Sequence, residues 1–148
     1  MEAVIFIGLQ AAGKSTFYVQ RFFRTHVRIN MDMLGTKHRE RLLLDACLAG
    51  KQAFVIDKVN AAATDRATYI HLAKAAGFHV VGYYFQSKLD DCLARNAARP
   101  EAEQVPDMAI LGTYKRLQLP SPAEGFDQLY YVRTTTGEFV VQEWRDEV

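Results

Sequence analysis

Residues 8–15 read Gly-Leu-Gln-Ala-Ala-Gly-Lys-Ser, and few octapeptides restrict a chain so tightly. The pattern GxxxxGK[ST] follows an apolar run at residues 3–7 and precedes a helical pattern from Ser15, so strand, tight loop and helix occur in the order that phosphate binding requires. Gly8 and Gly13 permit the turns that aim the successive N–H groups of Gln10, Ala11, Ala12, Gly13, Lys14, Ser15 and Thr16 inward as an anion nest. Lys14 is placed to reach β- and γ-phosphates, and the Ser15 hydroxyl to meet Mg²⁺. The helix adds its positive N-terminal end.

Downstream, apolar runs alternate with helical periodicity. Strands are expected at residues 3–7, 27–30, 53–56, 79–85 and 129–132, with a small terminal one at 138–141. Helices are expected at 15–24, 39–48, 65–76, 89–98 and 106–117, several closed by glycine: Gly50 and Gly77 sit where a C-terminal cap belongs. Continuous apolar strands such as residues 3–7 are those of a sheet covered on both faces. Alternation of the two element types implies right-handed crossovers and parallel pairing. The expected architecture is an α/β P-loop NTPase three-layer sandwich, with a mainly parallel five-stranded sheet and an arginine-bearing lid at about residues 88–118. At 148 residues the chain is expected to be one domain, residues 1–148, with one active site.

Hydrophobic residues at 49% and charged residues at 24% suit a soluble globular protein. The N-terminal apolar run is too short and lacks the basic flank of a signal peptide, and no stretch has the length of a membrane span. Cys47 and Cys92 show no ligand spacing and read as reduced, buried thiols, which points to the cytoplasm. A net charge of +1 argues against a broad nucleic-acid-coating surface while leaving room for a local basic groove. Oligomeric state is not legible.

Asp32 and Asp57 each end a strand, where open α/β sheets place their ligands. Asp57, after four apolar residues, has the form of a Walker B carboxylate acting on the metal's waters; its structural alternative is a cap on the strand-to-helix turn. Asp32 has the place of a general base, or else caps a helix. Arg95 and Arg99 share a helix face and either clamp phosphate oxygens or complement the helix dipole. His26, His38, His71 and His79 lack ligand spacing to one another, and Tyr83, Tyr84 and Phe85 read as core. Lys37, His38, Arg39 and Arg41 read as a solvated helix face that could otherwise meet an anionic ligand.

The order of segments GLQAAGKST, INMD, VIDKVN, ARNAARP, VPDM, YKR and EGFD resembles the kinase domain of polynucleotide 5′-hydroxyl kinases, nearest to the polynucleotide phosphatase/kinases. The likeness spans residues 4 to about 132. It implies a general base at Asp32 and lid residues Arg95, Asn96 and Arg99 on the ATP phosphates, from the family's RNxxR pattern. Two departures stand out: Asn30-Met31-Asp32 replaces NRD, and Asp57-Lys58-Val59-Asn60 replaces DNTN. Both alter the acceptor side and leave the phosphate loop intact. No segment resembles the phosphatase's aspartate-nucleophile motif. The expected activity is Mg²⁺- and ATP-dependent phosphoryl transfer to a hydroxyl, of a nucleic-acid 5′ end or a small molecule. An ATP-binding module without efficient transfer is the alternative.

Overall fold

A computed structural model describes residues 1–135 and 137–146. β1 (Glu2–Ile7) runs into the glycine loop and α1 (Lys14–Arg21), followed by β2 (Val27–Ile29), α2 (Met31–Leu34), α3 (Lys37–Ala49) and β3 (Phe54–Ile56). Then come α4 (Ala63–Ala75), β4 (His79–Phe85), α5 (Leu89–Ala98), α6 (Asp107–Arg116), β5 (Gln128–Thr135) and β6 (Glu138–Glu143). Two short 3₁₀ turns, Glu101–Glu103 and Pro122–Glu124, complete the order.

The sheet runs β2-β3-β1-β4-β5-β6. All neighbours pair in parallel except β5 with β6. β1 is central, with Val4 opposite Val55 of β3 and Val81 of β4. The period of two along this strand builds two cores. Ala3, Ile5 and Ile7 face Leu44 and Cys47 of α3 and Tyr69, Ile70 and Ala73 of α4. Val4 and Phe6 face Phe17 of α1, Cys92 of α5 and Ile110 of α6. Strand residues buried on both faces require this layering, since each would otherwise forfeit about 1.5–3 kcal/mol of burial. Tyr84 and Phe85 enter opposite cores, while Tyr83 stacks on Tyr130 at 5.2 Å.

The sheet has six strands where five were expected. Residues 138–143 alternate, with Phe139 and Val141 half-buried against the α1 core and their neighbours exposed. One apolar row is all an antiparallel edge strand needs, so its sequence signal is faint. α1 ends at Arg21, earlier than expected, because Phe22 turns inward as its cap. α2 has four residues, too few for periodicity to reveal. Asn30 caps it by accepting from the Met33 N–H at 3.1 Å, so the helix-capping reading of Asp32 is replaced by one for Asn30. Among the described residues no helix is long and apolar enough to cross a membrane.

Candidate active site

The C-terminal ends of β1, β2 and β3 open onto a cleft of about 790 Å³. Its walls include Gln10, Ala11, Lys14 and Ser15 from the glycine loop, Asp32 from α2, Asp57 after β3, and Arg99 after α5. The sequence-predicted base, loop and one lid arginine thus share one space.

The loop's shape is over-determined. Gly13 caps α1 with φ 98°, a left-handed conformation that strains any residue with a Cβ. A Cβ there would also stand 3.0 Å from the Phe139 ring of β6. At Gly8, a Cβ would lie 3.0 Å from Phe85 Cβ. The Leu9 N–H donates to Ser87 Oγ at 3.0 Å, and Gln10 Nε2 donates to Thr113 Oγ1 of α6 at 3.0 Å.

Lys14 is buried and curls over its own loop, donating from Nζ to the carbonyls of Gly8 at 2.8 Å and Leu9 at 2.6 Å. Burial lowers its pKa from 10.5 to about 8; Asp57 opposes that fall and Arg99 adds to it. An ammonium desolvated in this way gains most from an arriving polyanion.

Asp57 is 2% exposed. Its Oδ2 accepts from Ser15 Oγ at 2.9 Å and from Arg28 Nε at 2.8 Å, and Arg28 Nη2 donates to Ser15 Oγ at 2.9 Å. Thr16, next along, is exposed. The segment from Asp57 is pinned at its backbone, where the Asp57 N–H donates to Ile29 O, Asn30 Nδ2 donates to Asp57 O and the Gly8 N–H donates to Val59 O, and by the Asn60 side chain, whose Nδ2 donates to Phe6 O. Lys58 and Val59 line the cleft. The Lys58 ammonium donates to Glu40 Oε2 at 3.1 Å and to the Tyr69 hydroxyl at 2.7 Å, while that hydroxyl bonds Glu40. Burial, with Glu40 adding, pushes the Tyr69 pKa far up, so the phenol is a fixed donor.

In the lid, Arg99 borders the cleft, whereas Arg95 lies against the loop with Nη1 3.5 Å from Ala11 O. Asn96 lies outside the cleft lining; it is buried and exchanges two bonds with Val105, giving from Nδ2 at 2.7 Å and accepting the Val105 N–H at 3.0 Å. Lys37 and Arg41 are exposed on α3 and border the cleft, Arg41 already paired with Asp45.

Three residues escaped the sequence reading. Arg28 carried no motif. Glu40 fell within a helical run. Arg66 is 0% exposed, donating from Nη1 to the carbonyls of Asn60, Ala61 and Gln118 while pairing with Glu124. The EGFD segment held half of that last pair in view.

The profile of a family described as AAA domain matches residues 32–120, more than half the chain, beginning beyond the glycine loop. The chain is similar to the bifunctional polynucleotide phosphatase/kinase of Schizosaccharomyces pombe (strain 972 / ATCC 24843), 26% identical over 129 residues, which is 84% of this chain and 32% of that protein. It therefore spans about a third of that relative's length. Among solved structures, Chaetomium thermophilum Kti12 in complex with ADP-AlF3 superposes with a TM-score of 0.66 at 16% identity, covering 88% of each chain. The Mycobacterium tuberculosis APS kinase CysC, in complex with AMPPNP and APS, gives 0.55 at 16% identity, covering 93% of this chain and 89% of that one. These two likenesses establish a P-loop NTPase-type fold.

Proposed function

The chain belongs to the AAA domain family, and on that footing we propose that it is an ATP-dependent kinase that moves the γ-phosphoryl group to a hydroxyl. The observation that carries this reading is the shared cleft: a carboxylate, Asp32, borders the same space as Lys14, Ser15 and Arg99. Phosphoryl transfer asks a protein mainly for positioning and for charge at the phosphate oxygens. The loop N–H groups and Lys14 hold the triphosphate, and Arg95 and Arg99 stabilise the group in flight. Asp32 takes the proton of the acceptor hydroxyl as its oxygen bonds to the γ-phosphorus; the bond from that phosphorus to the β–γ bridging oxygen breaks, and ADP leaves. Asn96 serves by holding the lid's return through Val105.

Mg²⁺ fits the donor set. Ser15 Oγ gives one proton and receives one, leaving a lone pair, and no hydrogen bond falls on Asp57 Oδ1 among the described residues. When bound, the ion would neutralise charge on the nucleotide's phosphates. Among the described residues no three His, Cys, Asp or Glu side chains converge on a metal position, so Ser15, the waters facing Asp57 and the phosphates would hold it.

The acceptor we favour is a polynucleotide 5′-hydroxyl, supported by the 26% likeness to a polynucleotide phosphatase/kinase. A second reading, a small-molecule acceptor, is favoured by Lys58: its ammonium, tied to Glu40 and Tyr69, furnishes a charged wall where the polynucleotide kinases carry an asparagine. The test supplies labelled ATP and Mg²⁺ with 5′-hydroxyl DNA and RNA oligonucleotides beside sugars, nucleosides and other hydroxyl metabolites. Transfer to oligonucleotides supports the first reading, and transfer to a metabolite alone the second. ATP binding with no transfer to any acceptor refutes the kinase proposal in favour of a binding module.

A further inference from the structure

Arg28 stands on β2, with β3 between it and the strand that delivers the glycine loop. Its guanidinium is held at three places: Asp57 Oδ2, Ser15 Oγ, and the Tyr18 ring, whose centroid lies 5.9 Å from Cζ. Ser15 and Asp57 are the pair a P-loop site offers to a divalent cation. Here they already share a monovalent one.

A plain tie between β2 and the sheet's interior would need only the ion pair with Asp57. The second bond goes instead to the hydroxyl of Ser15, on the first turn of α1, and takes one of its two lone pairs. Arg28 does not border the cleft, so it is not itself a phosphate ligand. Its effect passes through the two groups it holds, which makes it a positioning residue.

The charge balance gives the consequence. Asp57 supplies the carboxylate at this seat and Arg28 cancels its charge, while Lys14 adds another positive charge close by. A divalent ion arriving there meets no net negative charge from the protein and depends on the nucleotide's own phosphates. A nucleotide arriving without metal meets cations already fixed in place.

We propose that Arg28 is a built-in cation at the Ser15–Asp57 seat that weakens divalent-metal binding and lets the nucleotide bind nearly as well without metal. This rests on the reading of the cleft as a nucleotide site. The measurement is the dissociation constant of ATP by calorimetry in EDTA and in saturating Mg²⁺, for wild type, Arg28→Gln and Arg28→Lys. A unit charge about 5 Å away in a partly screened site is worth roughly tenfold or more.

The wild-type ratio of metal-free to Mg²⁺ dissociation constants is accordingly expected within about fivefold, and R28Q should raise it by about tenfold, with R28K near wild type. With ADP bound, Mn²⁺ followed by electron paramagnetic resonance should bind R28Q about tenfold tighter than wild type. A merely structural tie would lower the melting temperature and leave the ratio unmoved, and that result in folded R28Q overturns the proposal. Should R28Q not fold, the wild type decides: a ratio beyond about fivefold overturns the proposal unaided. Failure of ATP to bind under either condition removes the nucleotide reading itself, and is distinct from binding whose metal dependence Arg28 does not alter.

Discussion

Lys14 holds its charge where burial opposes it, and a pH dependence follows from that. With its folded pKa lowered from 10.5 to about 8, the native protein binds fewer protons than the unfolded chain between those values. Folding stability from this group therefore rises with pH across that window. Nucleotide affinity runs the other way, because phosphates select the ammonium: above pH 8, metal-free ATP binding is expected to take up a proton and weaken by up to about tenfold per pH unit. Calorimetry in buffers of different ionisation enthalpy reads the uptake directly, and a pH-independent affinity to pH 9.5 contradicts it. Asp32 gives a second expectation. Asp32→Asn keeps the shape and removes the base, so turnover should fall by about 10²–10⁴ while the ATP dissociation constant stays within about threefold. A variant of normal turnover would dismiss Asp32 as the base. At this scale the residues that a fixed local frame singles out, Lys14, Ser15, Asp32 and Asp57, all border one cleft. Arg28, Glu40 and Arg66 went unseen, because their side-chain hydrogen-bond partners lie 13 to 58 positions away along the chain. Nothing local marks such a pairing.

Elements were legible in proportion to their length. The 13-residue helices α3 and α4 carry apolar periodicity and glycine stops, whereas α2 and the edge strand β6 depend on a cap and a single apolar row. What joins elements was harder to foresee. Arg66 bolts α4 to the segment before it, to the stretch after α6 and to Glu124, all from a fully buried guanidinium. Arg66→Met should cost about 3–5 kcal/mol in denaturant unfolding, since it strips the half-buried Glu124 carboxylate of its cation and withdraws a donor from three carbonyls. A loss under 1 kcal/mol would show that water replaces those bonds. Asn96 does the corresponding work in the lid. Asn96→Ala should loosen residues 99–106 by about 2 kcal/mol, seen as faster amide exchange there while the sheet stays protected. Unchanged exchange in that stretch would mean that the lid is held by other contacts.

The whole molecule is one sheet serving two cores, and neighbouring residues of β1 belong to different ones. Ile5→Ala should cost about 2–5 kcal/mol and Phe6→Ala about 3–5 kcal/mol. Because the strand is shared, each is expected to shift one common unfolding transition rather than uncover a second, and two separated calorimetric peaks in either variant would contradict this. That layering was legible from the continuous apolar strands; the cleft wall of Glu40, Lys58 and Tyr69 was not, because it assembles from α3, the end of β3 and α4. Residues 57–60 show what this arrangement means for a lineage. Three backbone hydrogen bonds and the Asn60 side chain fix the track of that stretch; the Val59 side chain takes no part in them, whereas Lys58 is tied to Glu40 and Tyr69. Mutational drift at Val59 therefore escapes the penalty that purges changes at Gly8, Asp57 or Asn60, while a change at Lys58 must carry Glu40 and Tyr69 with it. Descendants of one ancestor can part ways along one wall of this cleft while inheriting the same glycine loop.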